Sequence, residues 1–269
     1  MAIITISRGS YSRGKEIAEK TAKKLGYECI SRDLLLDVSK QYNIPEVKLV
    51  HAIHDAPSML DRLNRRKEKY VAYIKTALLN HLQKDNVVYH GLAGHFFVKD
   101  VPHALKVRVI SDIEDRVELE MERKGVDADT ARRVLEEDDK QRRKWSKDLY
   151  GIDTADPSLY DLVLHINRLT VEDAVDMICD CVKKEQFKTS PQSQRLMEDL
   201  ALSAEINKAL LDVGPDIVAC VDNHIAYIET ESSIAAEESY VREIREVTET
   251  FEGIQDIRIK CHPIVALSD

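Results

Sequence analysis

The chain has 269 residues, 43% of them hydrophobic, and a formal net charge of −9 at pH 7. That apolar content can build a core and excludes wholesale disorder, and the length suits two domains better than one. The acidic balance argues against a non-specific nucleic-acid partner, and no run approaches the roughly 18 apolar residues of a membrane span.

Met1 leads straight into Ala2–Ile6, a short buried-strand pattern with no basic and apolar leader before it, so a cytoplasmic location is expected. A polar loop, Ser7–Arg13, precedes a helix from about Gly14, in which Ile17, Ala18, Thr21, Ala22 and Leu25 recur at helical spacing and Gly26 is the carboxyl cap. Cys29–Ile30 reads as a second strand, and Arg32 to Leu82 as several helices. Further strands are predicted at Val87–His90, Leu105–Ile110 and Leu159–Ile166, with helices between and after them. Ser111 with Glu114, and Thr170 with Asp173, have capping-box spacing. Strands alternating with helices imply a mainly parallel sheet covered on both faces, which binds ligands beyond the carboxyl ends of its strands.

Near Lys188–Ser193 the chain turns polar and a proline appears, so residues 187–196 are read as a linker between a domain at 1–186 and a smaller α+β module at 197–269. The module reads as a helix, two strands joined by a turn at Asp222-Asn223, a second helix and a last strand. The five cysteines (Cys29, Cys179, Cys181, Cys220 and Cys261) form no Cys-x-x-Cys pair, so reduced thiols are expected rather than a zinc or redox motif.

The strongest chemical signal is Gly9-Ser10-Tyr11-Ser12-Arg13-Gly14-Lys15, a G-x-x-x-x-G-K pattern. A chain of this length shows that spacing by chance about 0.1 times at ordinary residue usage. Here it lies between the first strand and the first helix, where the chemistry requires it. Backbone N–H groups from Arg8 to Glu16 wrap the phosphates of ATP, the helix amino terminus adds positive potential, and Lys15 reaches the outer phosphates. The next position, commonly a Ser or Thr ligand to magnesium, is Glu16. It is either a metal ligand acting through water or a first-turn acid favoured by the helix dipole.

Arg142 and Arg143 follow the acidic run Glu136–Asp139 on one predicted helix. They are candidate catalytic arginines, because charge stabilisation dominates phosphoryl transfer, and they are set against a plain solvated helix of i,i+4 pairs. Arg32, Asp33, Arg62, Arg65 and Arg66 are candidate contacts to a phosphate-bearing acceptor. His90 and Gly91 end the third strand, where Gly91 and Gly94 would permit close approach of a ligand.

Together these residues resemble the cytidylate kinase-like family: Ile6-Ser7-Arg8 with the loop and Glu16-Ile17-Ala18, then Asp100–Arg108, then the block from Asp139 through Arg142, Tyr150, Asp156 and Tyr160–Val163. The resemblance covers about residues 1–185. It implies a three-layer α/β P-loop fold with a five-stranded parallel sheet, a lid near Arg132–Trp145, and transfer of the γ-phosphoryl group of MgATP to CMP or dCMP. Cytidylate kinases carry Asp-Gly-Arg-Asp after the third strand, where this chain has Tyr89-His90-Gly91-Leu92. The alternative is a degenerate kinase fold that senses a nucleotide. The carboxyl-terminal module loosely resembles BON domains, which implies a regulatory or tethering role.

Overall fold

The computed structural model describes residues 2–9, 12–31, 33–44, 48–49, 66–91, 93–214, 216–232 and 237–263. Ser10, Tyr11, Arg32, Arg62 and Arg65, all candidate site residues, lie outside them. The chain divides into two compact units, residues 1–74 with 84–190, and residues 75–83 with 191–269.

The first unit begins with β1 (Ile3–Arg8), α1 (Gly14–Leu25), β2 (Glu28–Ile30) and α2 (Asp33–Tyr42). Helix α3 (Arg66–Leu82) is followed by β3 (Val87–His90), the single turn α4 (Gly94–Phe97) and β4 (Ala104–Ser111). Then come α5 (Ile113–Lys124), α6 (Ala128–Tyr150), β5 (Leu162–Ile166) and α7 (Val171–Val182). The five strands pair in the order β2-β3-β1-β4-β5, and every pairing is parallel. This is the α/β fold anticipated from the alternation of apolar runs.

Strand alternation divides the sheet's side chains between its faces. Ile4 and Ile6 of β1, with Leu105, Val107 and Val109 of β4, pack on Ile17 of α1 and Ile178 of α7 in the main core. Thr5, Ser7, Lys106 and Arg108 therefore take the opposite face, where Ser7 is in register with Arg108. Helices α5 and α6 form a hairpin around a small core of their own, Val117, Ala131 and Leu135.

The caps show how far local rules reach. Thr170 and Asp173 make the full reciprocal capping box at the start of α7, and Gly26 caps α1 at φ 70°. At α5 the expectation is corrected: the N-cap is Asp112, not Ser111. Its carboxylate is engaged by Asn167 at 2.5 Å and His165 at 3.0 Å, so it serves as a tie to the end of β5.

In the second unit, α8 (Pro191–Leu210) precedes β6 (Val218–Asp222), β7 (Ile225–Ser232), α9 (Glu237–Thr248) and β8 (Asp256–Pro263). The sheet order is β6-β7-β8, antiparallel and then parallel. Asn223 and His224 occupy the hairpin turn with φ 48° and 66°, as a two-residue primed turn requires. Asp199, Ser203 and Asn207, four residues apart on one face of α8, accept the N–H groups of Asn223, Val221 and Ala219 at 2.9, 2.7 and 2.9 Å. Four helical residues rise about 6 Å and two strand residues about 6.6 Å, so a polar stripe at spacing four matches an open strand edge. The edge of β6 is thereby closed.

The expected linker at 187–196 is replaced by structure. Phe187 is part of the first unit's core, and α8 already begins at Pro191, a residue suited to a helix's first turn. Residues 75–83 also belong with the carboxyl-terminal unit, where Thr76 donates to the Ala204 carbonyl at 3.1 Å and Asn80 to Glu205 at 2.8 Å.

Candidate phosphate-binding site

The loop Gly9–Arg13 connects the carboxyl end of β1 to the amino end of α1. Gly9 N–H donates to the Val109 carbonyl at 3.4 Å, and the buried Ser12 hydroxyl lies 3.2 Å from the Gly9 carbonyl and 3.1 Å from that of Val109. These contacts tie the loop to the end of β4. Arg13 adopts φ 58°, ψ 8°, the left-handed region uncommon for side-chain-bearing residues, and the chain then enters α1. Gly14 has a packing reason to be glycine: a Cβ there would lie 2.8 Å from both Cβ and Cδ of Arg8. The first turn of α1 leaves backbone donors unpaired within the helix, as an anion site needs.

Lys15 is exposed in the first turn of α1, with Nζ 3.6 Å from Glu19. Glu16 sits 2.8 Å from Lys20, which also contacts Glu172 at 2.6 Å. These contacts raise the pKa of Lys20, first through its hydrogen bond to Glu16.

A cavity of about 140 Å³ opens at the loop's β1 end. Its lining carries five arginines, Arg8, Arg108, Arg116, Arg142 and Arg143, against one acid, Asp139. Sequence reasoning missed two of these. Arg116, on α5, is only 8% exposed, pairs with Asp139 at 2.8 Å and lies beside Gly9. Arg108 comes from the middle of β4. Both look like ordinary charges in the sequence, but Arg116 falls one turn after Asp112 on a helix that starts at the sheet edge. That was the available signal.

Of the predicted pair, Arg142 Nη1 donates to the Arg8 carbonyl at 3.3 Å, while Arg143 is largely exposed and 3.8 Å from Asp153. Trp145, fully buried, packs 5.5 Å from Tyr150, which in turn lies 5.5 Å from Phe96. The carboxyl end of the segment expected to act as a lid is thus anchored in an aromatic cluster.

Arg108 donates to the Thr154 carbonyl and, at 3.1 Å, to the Tyr160 hydroxyl. That hydroxyl also lies 3.0 Å from the Thr154 carbonyl, 3.2 Å from His95 Nε2 and 3.3 Å from Ser7 Oγ. A phenol has one proton, so it donates to only one of these neighbours at a time. His95 is 3% exposed, and its Nδ1 is buried without a partner. Burial, reinforced by Arg108 and Lys106, pulls its pKa down to about 3, so the ring is neutral at physiological pH.

On the other side of the loop lies a wider cleft of about 590 Å³. Its lining reverses the balance: Glu16, Asp115, Glu118, Glu122 and Glu172 against Arg13 alone. Ser111, at the end of β4, borders both hollows.

The expectation for the end of β3 is revised. His90 is buried and does not line the cavity; His95 does. The space beside Gly91 is filled by protein, since a Cβ there would meet the Tyr89 hydroxyl oxygen at 2.4 Å, and one on Gly94 would meet the same ring at 2.5 Å. The glycines accommodate Tyr89 rather than a ligand. Asp33 begins α2.

A sequence profile described as the Cytidylate kinase-like family matches residues 3–168, which include the loop, both hollows up to Asn167 and all five strands. The chain belongs to this family. A cytidylate kinase of Archaeoglobus fulgidus is 28% identical over 188 residues, 69% of this chain and 97% of that protein. One from Methanopyrus kandleri is 36% identical over 74 residues, 28% of this chain and 38% of that protein. Among solved structures, a protein from Eubacterium ventriosum aligns with a TM-score of 0.53 at 22% identity, over 69% of this chain and 100% of that one, a likeness of fold. The cytidylate kinase-like match ends at residue 168, so residues 191–269 of the carboxyl-terminal unit lie outside it, while that unit's segment 75–83 lies within it. Among the described residues no helix is long and apolar enough to cross a membrane.

Proposed function

We propose that this protein is an ATP-dependent phosphotransferase that phosphorylates a nucleoside monophosphate, with CMP or dCMP as acceptor. The observation that carries the reading is the five-to-one excess of arginine over acid around a cavity at the phosphate loop. Phosphoryl transfer leaves little covalent work to a protein; positioning and charge neutralisation dominate. A hollow of ~140 Å³ is near the size of a void that holds one ring, so it suits phosphoryl groups, while the ~590 Å³ cleft is within the usual range for a whole small ligand. The triphosphate then runs along the loop amides toward Arg116 and Arg142, with the nucleoside in the cleft. The family match and the cytidylate kinases among its relatives support the choice of acceptor.

Magnesium enters with ATP as part of the substrate. Among the described residues no group of three potential metal ligands occurs, Glu16 is engaged by Lys20, and Asp139 is engaged by Arg116. Glu16 therefore fits the role of a first-turn acid better than that of a metal ligand. The same departure favours a second reading, a nucleotide sensor without turnover.

ADP release from MgATP, measured with a panel of nucleoside monophosphates and CMP and dCMP first, decides between them. Turnover that requires a cytidine monophosphate is expected. ATP binding with no turnover on any acceptor would establish the sensor.

A further inference from the structure

The cations on this face of the sheet are held in two different ways. Arg116 faces Asp139 at 2.8 Å, Lys106 faces Asp161 at 3.1 Å, and Asp153 is shared by Arg143 and Lys147 at 3.8 and 3.3 Å. Arg108 has no carboxylate partner among the described residues. Its polar contacts are the Thr154 carbonyl and the Tyr160 hydroxyl, and its guanidinium carbon lies 5.4 Å from the centroid of the Tyr160 ring. Tyr160 is backed by neutral groups, His95 and Ser7.

A partly buried cation without a counter-ion is costly, and its attraction for an anion is strengthened by the low local dielectric. Neutral acceptors orient the guanidinium without cancelling its charge. The planar fork suits two-point contact with a phosphate. Arg116, beside Gly9, is at the phosphate loop itself and so serves the donor. Arg108, opposite Ser7 on the neighbouring strand, is left for the second anionic group that a transfer between phosphates must bring in.

We propose that Arg108 is the seat for the phosphate monoester of the acceptor, and that Tyr160 and His95 are positioning residues that hold its guanidinium toward the cavity. This rests on the phosphotransferase reading above. In the step served, an acceptor phosphate oxygen forms a bond to the γ-phosphorus of ATP, the bond between that phosphorus and the β–γ bridging oxygen breaks, and ADP leaves with the electron pair. A dianionic acceptor transfers no proton, which accords with a neutral His95 that neither gives nor takes one. Two anions meet in this step, so each needs its own cation.

The test is steady-state ADP release by the full chain with CMP, comparing wild type with Arg108→Gln, Arg108→Lys and Tyr160→Phe. Arg108→Gln is expected to raise the acceptor KM by about 30-fold or more while the ATP KM stays within about twofold. Arg108→Lys should recover part of the loss, and Tyr160→Phe should raise the acceptor KM about fivefold. Equal effects on the two substrates, or none on either, would overturn the assignment. Should wild type show no turnover, the kinase reading fails, and a second measurement still tests Arg108. Inorganic phosphate added to the ATP-saturated protein should raise the thermal midpoint of wild type and not of Arg108→Gln. A shift absent from wild type, or equal in the variant, rules the seat out.

Discussion

The two hollows beside the phosphate loop have nearly mirrored charge. Five arginines and one acid line the smaller, and five acids and one arginine line the larger. The difference lies in which elements contribute. The cavity draws on β1, β4 and the inner faces of α5 and α6; the cleft draws on α1, the outer acidic face of α5 (Asp115, Glu118, Glu122) and the start of α7. One helix, α5, thus presents Arg116 to one side and three carboxylates to the other. A nucleotide carries its charge at one end, so under the proposed function such a gradient across the loop would orient it before any base contact forms.

The strongest way to break this comparison is to remove charge on the cavity side. Arg142→Ala is expected to lower turnover by about a thousandfold or more and leave ATP affinity within a few-fold, because a cation on the transferring group acts on the transition state. Arg143→Ala should cost less than about tenfold, since its side chain is largely exposed and shared with Asp153. Equal turnover in wild type and both variants would return these arginines to a solvated helix face. Reversing two charges in the cleft, Glu118→Lys with Glu122→Lys, should change the ATP KM by less than about tenfold and leave kcat nearly intact. A loss as large as that of Arg142→Ala would end the division of labour.

A smaller effect distinguishes the cavity floor. His95 is neutral when folded, with its pKa held near 3 by burial first, then by Arg108 and Lys106, against an ordinary value of 6.5. The unfolded chain therefore binds more protons between these values, so stability is lost as pH falls from about 6.5 toward 3. His103, also shifted downward by burial, adds to the same limb. Thermal midpoints across that range should fall less steeply for His95→Gln than for wild type; parallel curves would show that His95 is not the titrating group. Smallest of all, Glu16→Gln should leave magnesium dependence unchanged and move the midpoint by no more than about 2 °C, since an exposed ion pair contributes little. A sharply raised magnesium requirement would restore Glu16 as a metal ligand.

Much of the scaffold was readable from local pattern. The parallel strands came from apolar runs alternating with helical spacing, Gly26 and Thr170–Asp173 from capping chemistry, and the loop from its two glycines and a lysine placed after a strand. What stayed hidden depends on contacts distant in sequence. Arg108 and Arg116 become cavity residues only when β1 and β4 pair, and Gly91 looks like an opening for a ligand until the ring of Tyr89 occupies it. The stretch around Pro191 reads as a linker because its helix is polar. Its polar stripe closes the edge of β6, and Lys75–Gln83 joins it from over a hundred residues away, which no local window can reveal.

The central claim, that the loop Gly9–Lys15 binds the phosphates of a nucleoside triphosphate, is tested most directly by titrating ATP against wild type and Lys15→Ala and following the thermal midpoint of the first unit. A ligand that binds only the folded state stabilises it by about 2.7 kcal/mol at a hundredfold excess over its dissociation constant. A clear upward shift in wild type, much reduced in a correctly folded Lys15→Ala, is the predicted result. An equal shift in both proteins would contradict the assignment of the phosphate loop.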